Sequence, residues 1–508
     1  MRLRSLALLG AASCLLAVAT ACSSGDDASP TTSAAKATST TTAGARSGAA
    51  GTTVEGPITG GKYGIPYLAM PAGWEDRYGY TEQEYFVSGT AHAYEPKGEL
   101  TADGAWNVEA SKDTAPYTTR MVVRRPADPK DFNGTVVVEW LNVSAGRDSD
   151  PDFGFLADVL LPQGYAYVGV SAQKTGVEPG GLGLEIPNVP KEALAPLKTW
   201  DPERYGDLSH PGDEYSYDIF TQAAAAATEV GDDAPLRGLE AKHVVAAGES
   251  QSSFRLTSYV DAIAPVTEAF DGYFIHSRGT SSADLGADGV GKPPGGVQIR
   301  NDVAVPVFQF ETETDLDFLQ FVQARQDDAE HLVTWELAGA AHVDRSTLDY
   351  GVEAGRRWAK GANIDLSSSC GRINEGPQQP VVQAAFTAFS DWVTEGTRPP
   401  SSPRIETDAS GEIVRDADGI AKGGIRTPAV DAPTTVLTGT NTSTSPICVL
   451  FGSTTALSPA QLAARYPSHD AYVAAVEDSA AAAVDQGYLL TAGANEMINA
   501  ADAAKVPQ

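Results

Sequence analysis

Val244 to Leu256 reads VVAAGESQSSFRL, an apolar run that breaks at Gly248, turns through small and polar residues and resumes with helical character. A tight strand-to-helix turn of this kind can present a serine as a nucleophile. Small residues two before and two after it let strand and helix approach, and Ser250 stands between Gly248 and Ser252. The plain alternative is that Ser250 only caps a helix N-terminus, a position serine favours.

A nucleophilic serine needs a base and an orienting acid, and elbow enzymes place them in the chain order Ser, acid, His. Of the seven histidines, His92, His210 and His243 precede Ser250. His331 enters its strand at the wrong end, and His469 lies in an acidic, Ala-rich tail where a solvated helix face is expected. His276 ends FDGYFIHS at the correct edge but precedes the candidate acid, and reads as pocket lining or a satisfied polar residue. His342, directly after LVTWELAGAA, is the predicted base.

The segment VPVFQFETETD offers Glu311, Glu313 and Asp315 where a strand should end. Asp315, nine residues after Pro306 and 27 before His342, is the predicted acid; Glu313 is the alternative, because strand ends are legible only to within a few residues. The Gln251 N–H, first in its helix, would face a developing oxyanion. A second donor is expected from the loop Leu141 to Val143, with Asn142 as its candidate. This is acyl-transfer chemistry at an activated serine and requires no cofactor.

Positioning such groups needs a particular scaffold. TRMVVRRP (Thr119 to Pro126), TVVVEWLNVS (Thr135 to Ser144), YAYVGVSAQ (Tyr165 to Gln173), HVVAAGE, FDGYFIHS, VPVFQFETETD and LVTWELAGAAH read as strands. FGFLADVLLPQG, SYDIFTQAAAAATEV, SSFRLTSYVDAI and QQPVVQAAFTAFSDWVTEG (Gln378 to Gly396) read as helices between or after them. Short apolar strands interleaved with helices predict an α/β fold, a mainly parallel sheet of about eight strands covered on both faces. In such sheets the reacting groups collect at the strands' carboxyl ends, as the assignments above require. A Pro/Gly-rich excursion, 176–213, is a candidate lid or pocket wall.

Asp148, Asp150 and Asp152 alternate in GRDSDPDFG, spacing compatible with calcium. Without the glycine and distal Glu of a complete loop, they read instead as a solvated turn capping the next helix, and no metal is expected.

The 508-residue chain has ordinary globular composition, with 42% hydrophobic and 20% charged residues. Its net charge of −30 repels phosphate backbones, which excludes nucleic acid as an expected partner. The start, MRLRSLALLGAASCLLAVATAC, reads as an export signal over 1–21, too short and too interrupted for a membrane span. Ala19-Thr20-Ala21-Cys22 resembles a bacterial lipobox with Ala19 in place of the usual Leu, which predicts lipidation of Cys22 and anchoring at the envelope; the alternative is cleavage after an AxA-like site. Residues 22–53, rich in Ser, Thr and Ala, are expected to be a disordered tether, because they cannot bury enough apolar surface to fold. Cys370 and Cys448, the remaining thiols, are expected to form a disulfide. The α/β domain is expected over 54–400, with 401–508 packed on it as an extension.

GYTEQEYFVSGTAHAYE, YTTRMVVRRP, FNGTVVVEWLNVS, YVGVSAQKTGV, RYGDLSHPGDEYSYDIF, GESQSSFRLTSYVDAI, FQFETETD, GAAHVD and GGIRTPAVDAP together resemble the bacterial family of alpha/beta hydrolase domain-containing proteins, from about Val54 to the C-terminus. The resemblance implies an α/β-hydrolase fold, a serine nucleophile at Ser250, a base at His342, weaker support for Asp315, and hydrolysis of a small-molecule ester. The expected activity is therefore that of an exported carboxylic-ester hydrolase. The alternatives are an acyltransferase using the same three residues, or a non-catalytic surface lipoprotein that binds a ligand in the cleft.

Overall fold

In the computed structural model, which describes residues 51–181, 194–231, 234–358 and 364–506, the TVVVEW run lies near the centre of a nine-stranded sheet. Cys22, the expected signal and most of the expected tether lie outside the described residues. In chain order the strands are β1 (Thr53–Glu55), β2 (Tyr80–Pro96), β3 (Val108–Pro126), β4 (Thr135–Trp140), β5 (Ala166–Val170), β6 (His243–Glu249), β7 (Gly272–His276), β8 (Val307–Thr312) and β9 (Leu332–Leu337). Across the sheet the order is β1-β2-β3-β5-β4-β6-β7-β8-β9. The pairs β1–β2, β2–β3 and β3–β5 are antiparallel, and the rest are parallel.

The parallel strands are buried along nearly their whole length, as a sheet with helices on both faces requires. Alternate residues feed two separate cores. Val136, Val138, Trp140, Val244 and Ala246 face one with Phe220 and Tyr259, while Val137, Val245, Phe274 and Phe308 face the other with Phe386 and Phe389. The last two rings lie on the helix Gln378–Glu395, which the sequence places almost to the residue. β5 flanks β4 on one side and β6 on the other, so the chain reverses its winding at β4. The crevice beyond the carboxyl ends of β4 and β6 is therefore where α/β sheets bind ligands.

The sequence reading misses most of a long hairpin. β2 and β3 span 17 and 19 residues, of which only Thr119 to Pro126 is legible. Their outer halves are partly exposed, so their apolar signal is diluted. Their inner halves carry buried charge instead. Arg120 pairs with Glu84 at 2.7 Å, and Arg124 pairs with Glu82 at 3.0 Å and with Asp150 at 2.8 Å.

These pairs correct the reading of the Asp148-Asp150-Asp152 stretch as a solvated turn. All three side chains are buried: Asp148 receives a hydrogen bond from Ser171, Asp150 pairs with Arg124, and Asp152 accepts from His276 Nδ1 at 2.8 Å. Asp150 precedes the helix Pro151–Leu160 but does not cap it through its side chain. The counter-charges come from β3 and could not be seen locally.

The tail adds to the same body. Ile425 pairs alongside Leu337, extending the sheet past β9, and the Tyr488 ring meets Trp335 edge-on at 5.0 Å. Cys370 and Cys448, 78 residues apart, are joined by a disulfide. Of the expected lid, 182–193 lie outside the described residues. Among those described, none between Gly176 and Asp213 lines the central cavity; Trp200 instead packs against Tyr67, which does.

Breaking one member of a buried ion pair strands the others in a low-dielectric interior. Arg124→Met is expected to lower the unfolding free energy by about 3–5 kcal/mol, read from urea denaturation.

Candidate active site

β6 ends at Glu249, and the helix Gln251–Ser258 begins one residue later. Ser250 bridges them at φ 57°, ψ −121°, a backbone region that a non-glycine residue occupies only at a cost of about 1–3 kcal/mol. Its N–H donates to the His276 carbonyl at 2.9 Å, which locks the turn to β7. A Cβ at Gly248 would come within 3.0 Å of Leu256 and 3.1 Å of Ser252, so the small residue there has a packing reason.

Position and cap separate cleanly at Ser250. Its side chain makes no capping bond; its hydroxyl lies 2.7 Å from His342 Nε2. His342 follows β9 by five residues, and its Nδ1 lies 2.6 Å from Asp315 Oδ1. Because a carboxylate only accepts, Nδ1 carries the proton and Nε2 accepts from Ser250. Asp315 is itself held, its Oδ2 accepting from the N–H and hydroxyl of Thr312 at 2.7 Å each. It sits in the first turn of a short helix, Glu313–Asp317, rather than in the strand.

The alternative acid is otherwise engaged. Glu313 accepts from the Gly339 and Gly439 N–H groups at 2.7 and 3.1 Å and pairs with Arg415 at 2.7 Å, tying the tail to the end of β8. Glu311 is buried in β8, its carboxyl held well above the usual range by burial and by the charge of Asp315. His276 is a satisfied core residue, placed between Asp152 and Gln378, and does not line the cavity. His469 is partly buried at the start of its helix, bonded to the Val506 carbonyl at 3.1 Å, rather than fully solvated.

Gln251 opens its helix, so its N–H has no partner within the helix. Asn142 is a correction: its N–H donates to the Ser149 carbonyl at 2.9 Å, and its side-chain amide donates to the Glu249 carbonyl at 3.0 Å. A two-residue bridge between Asn142 and Ser149 consumes the donor. The adjacent Val143 N–H makes no hydrogen bond among the described residues.

One functional group escaped the sequence reading although it stands inside the motif. Glu249 Oε1 lies 3.6 Å from His342 Nε2, on the side that faces Ser250. Burial raises its carboxyl to about 7, against the opposing pull of His342 and His276. Burial also disfavours a charged His342, but the charge and hydrogen bond of Asp315, aided by Glu249, outweigh it and raise the imidazole above its ordinary value. The available signal was adjacency: a residue next to the elbow serine must lie near its base.

Above these groups opens a cavity of about 420 Å³. Leu68, Phe254 and Phe318 line it, together with Ile447, Leu450 and Phe451 from the tail. The Val343 N–H donates to the Leu450 carbonyl at 2.9 Å, so the loop carrying His342 is braced by the same tail segment. Among the described residues no cluster could hold a metal ion.

A family model described as an alpha/beta hydrolase domain matches residues 54–499. The chain belongs to that family. Among solved structures, this alpha/beta hydrolase is similar to a fungal esterase from Rhizomucor miehei, at 11% identity over 62% of this chain and 85% of that one, with a TM-score of 0.33. It is similar also to a serine hydrolase without a lid from Xanthomonas campestris, at 12% identity over 53% and 97%, TM-score 0.26. A serine hydrolase homologue from Coxiella burnetii aligns at 11% identity over 48% and 93%, TM-score 0.26. No curated protein matches the chain.

Glu249 gives the alpha/beta hydrolase a pH signature. Its folded-state pKa of about 7 exceeds the ordinary 4.5, so the native state holds this proton more tightly than the unfolded chain does. The resulting stability is complete below 4.5 and is lost as pH rises through 7. In Glu249→Gln, which cannot ionise, the unfolding free energy is expected to fall less steeply between about pH 5 and 8 than in the parent. Denaturant titrations at each pH measure the difference.

Proposed function

We propose that this alpha/beta hydrolase is a carboxylic-ester hydrolase acting through an acyl-enzyme on Ser250. The observation that carries the reading is the unbroken chain of hydrogen bonds, 2.6 Å from Asp315 to His342 and 2.7 Å from His342 to Ser250. His342 Nε2 takes the hydroxyl proton as Ser250 Oγ attacks the acyl carbon, and returns it to the departing alkoxide oxygen. Water then enters by the same route, giving its proton to His342 and releasing the acid. Asp315 holds the imidazole in the tautomer that can accept from Ser250 and stabilises the imidazolium. The Gln251 N–H, with Val143 as the second donor, holds the oxyanion.

Glu249 fits this cycle as an electrostatic partner. Its carboxylate faces Nε2, where the transferred proton resides, and so favours the imidazolium once formed. A purely ligand-binding role would account for the cavity but gives no reason for a strained serine hydrogen-bonded to a histidine–aspartate pair.

The expected result for Ser250→Ala is loss of ester hydrolysis by about 10³-fold or more, with loss of fluorophosphonate labelling. Asp315→Asn should cost about 10⁴-fold in kcat, because it favours the wrong imidazole tautomer. Glu313→Gln should act mainly on stability, through Arg415 and Gly439. Full activity in Ser250→Ala would overturn the reading.

We also propose that the chain is exported and anchored through a lipid on Cys22. The Cys370–Cys448 disulfide supports an oxidising compartment. Metabolic labelling with an alkyne fatty acid should mark the protein, and Cys22→Ala should abolish the label.

A further inference from the structure

The charged groups lining the cavity are Arg147, Asp150, Glu249 and His342. Three of them are answered inside the protein. Asp150 pairs with Arg124 and accepts from the Tyr350 hydroxyl at 3.1 Å, while Glu249 and His342 face each other. Arg147 has no carboxylate partner within ion-pair distance among the described residues.

This is unexpected in a chain with 66 acidic and 36 basic residues, where nearly every arginine around the site is paired. Asp148, next in sequence, feels the Arg147 charge but forms no ion pair with it, its Oδ2 accepting from Ser171 at 2.5 Å and lying 3.8 Å from Arg120. Arg147 Nη1 is used on neutral acceptors, the Tyr67 hydroxyl at 3.1 Å and the Asp148 carbonyl at 3.0 Å. Its Nε is sealed from solvent without a partner, whereas Nη2, also without one, is not sealed. The guanidinium is thus oriented through Nη1 and keeps donors for something else. A half-buried cation with unmet donors beside an apolar cavity is suited to a carboxylate, which a guanidinium binds through charge-assisted hydrogen bonds.

We propose that Arg147 forms an anion subsite, and that the ester cleaved at Ser250 carries a carboxylate group directed toward the Tyr67 side of the cavity. The proposal rests on the ester-hydrolase reading. Tyr67 and Trp358, whose rings lie 6.3 Å apart, form the neighbouring wall, and the aliphatic wall of Ile447 and Leu450 takes the uncharged remainder.

A matched pair of substrates tests it: mono-p-nitrophenyl glutarate, which ends in a carboxylate, and its methyl ester, which is neutral. The parent protein should favour the acid over the methyl ester in kcat/KM by about 10-fold or more, and Arg147→Met should lower that ratio by about 10- to 100-fold. Arg147→Lys, which keeps the charge but not the planar fork, should fall between them and shows that a loss in Arg147→Met is not misfolding. A ratio at or below one in the parent, or one unmoved by Arg147→Met, overturns the subsite while Ser250-dependent cleavage of the methyl ester leaves the esterase reading intact. If neither ester is cleaved, the esterase reading fails, and calorimetric binding of monomethyl glutarate decides the subsite. Binding by the parent that is lost in Arg147→Met sustains it, and no binding by the parent ends it.

Discussion

A single strained residue organises this site. Ser250 must leave the end of β6 at positive φ so that its hydroxyl points into the crevice while the chain turns at once into a helix. The strain is held by ordinary interactions on every side: an N–H bond to the β7 carbonyl of His276, a carbonyl that accepts from the Ser253 N–H at 2.9 Å, and close packing at Gly248. Relaxing the turn into a normal helix start would let the Ser250 hydroxyl cap the helix and withdraw it from His342. Cap and nucleophile are thus competing conformations of one residue, and the sheet decides between them.

The other two groups depend on the sheet in the same way. β8 and β9 lie side by side in parallel register, so the turns that follow them bring Asp315 and His342 together although 27 residues separate them. Asp315 is oriented by Thr312, the last residue of β8, and His342 by its N–H bond to the Thr314 hydroxyl. Glu313, between these, reaches the opposite way to Arg415 and Gly439 and fastens the tail over the loop. Glu313 and Asp315, two residues apart, therefore have distinct tasks, set by which way each helix position faces.

Buried charge supports the cavity from the other side. Arg120 and Arg124 not only pair with Glu84, Glu82 and Asp150 but also donate to the carbonyls of Tyr67 and Leu68, two residues of the cavity wall. The antiparallel hairpin that carries these arginines lies outside the parallel half of the sheet, which positions Ser250, Asp315 and His342, yet it holds one face of the cavity. Such an interior is costly to desolvate and tolerates few changes, which suits a wall that must keep its shape.

The parallel strands were legible because burial on both faces writes them as continuous apolar runs, and the order Ser, acid, His followed from where those runs end. By itself the sequence thus determined the fold class, and it pointed to the turn at Ser250 and to His342 at the end of a later strand. It left Asp315 and Glu313 open, took Asp148 to Asp152 for a solvated turn and offered Asn142 as a donor, because each depends on a partner remote in the chain. Whether Asp150 is solvated is decided by Arg124, and whether the Asn142 N–H is available is decided by Ser149. The same holds for Glu249 and Arg147, both plain in the sequence. Only tertiary structure could place one against the imidazole and leave the other without an ion pair among the described residues, because electrostatic roles are set by distance in space and burial, which local pattern does not encode.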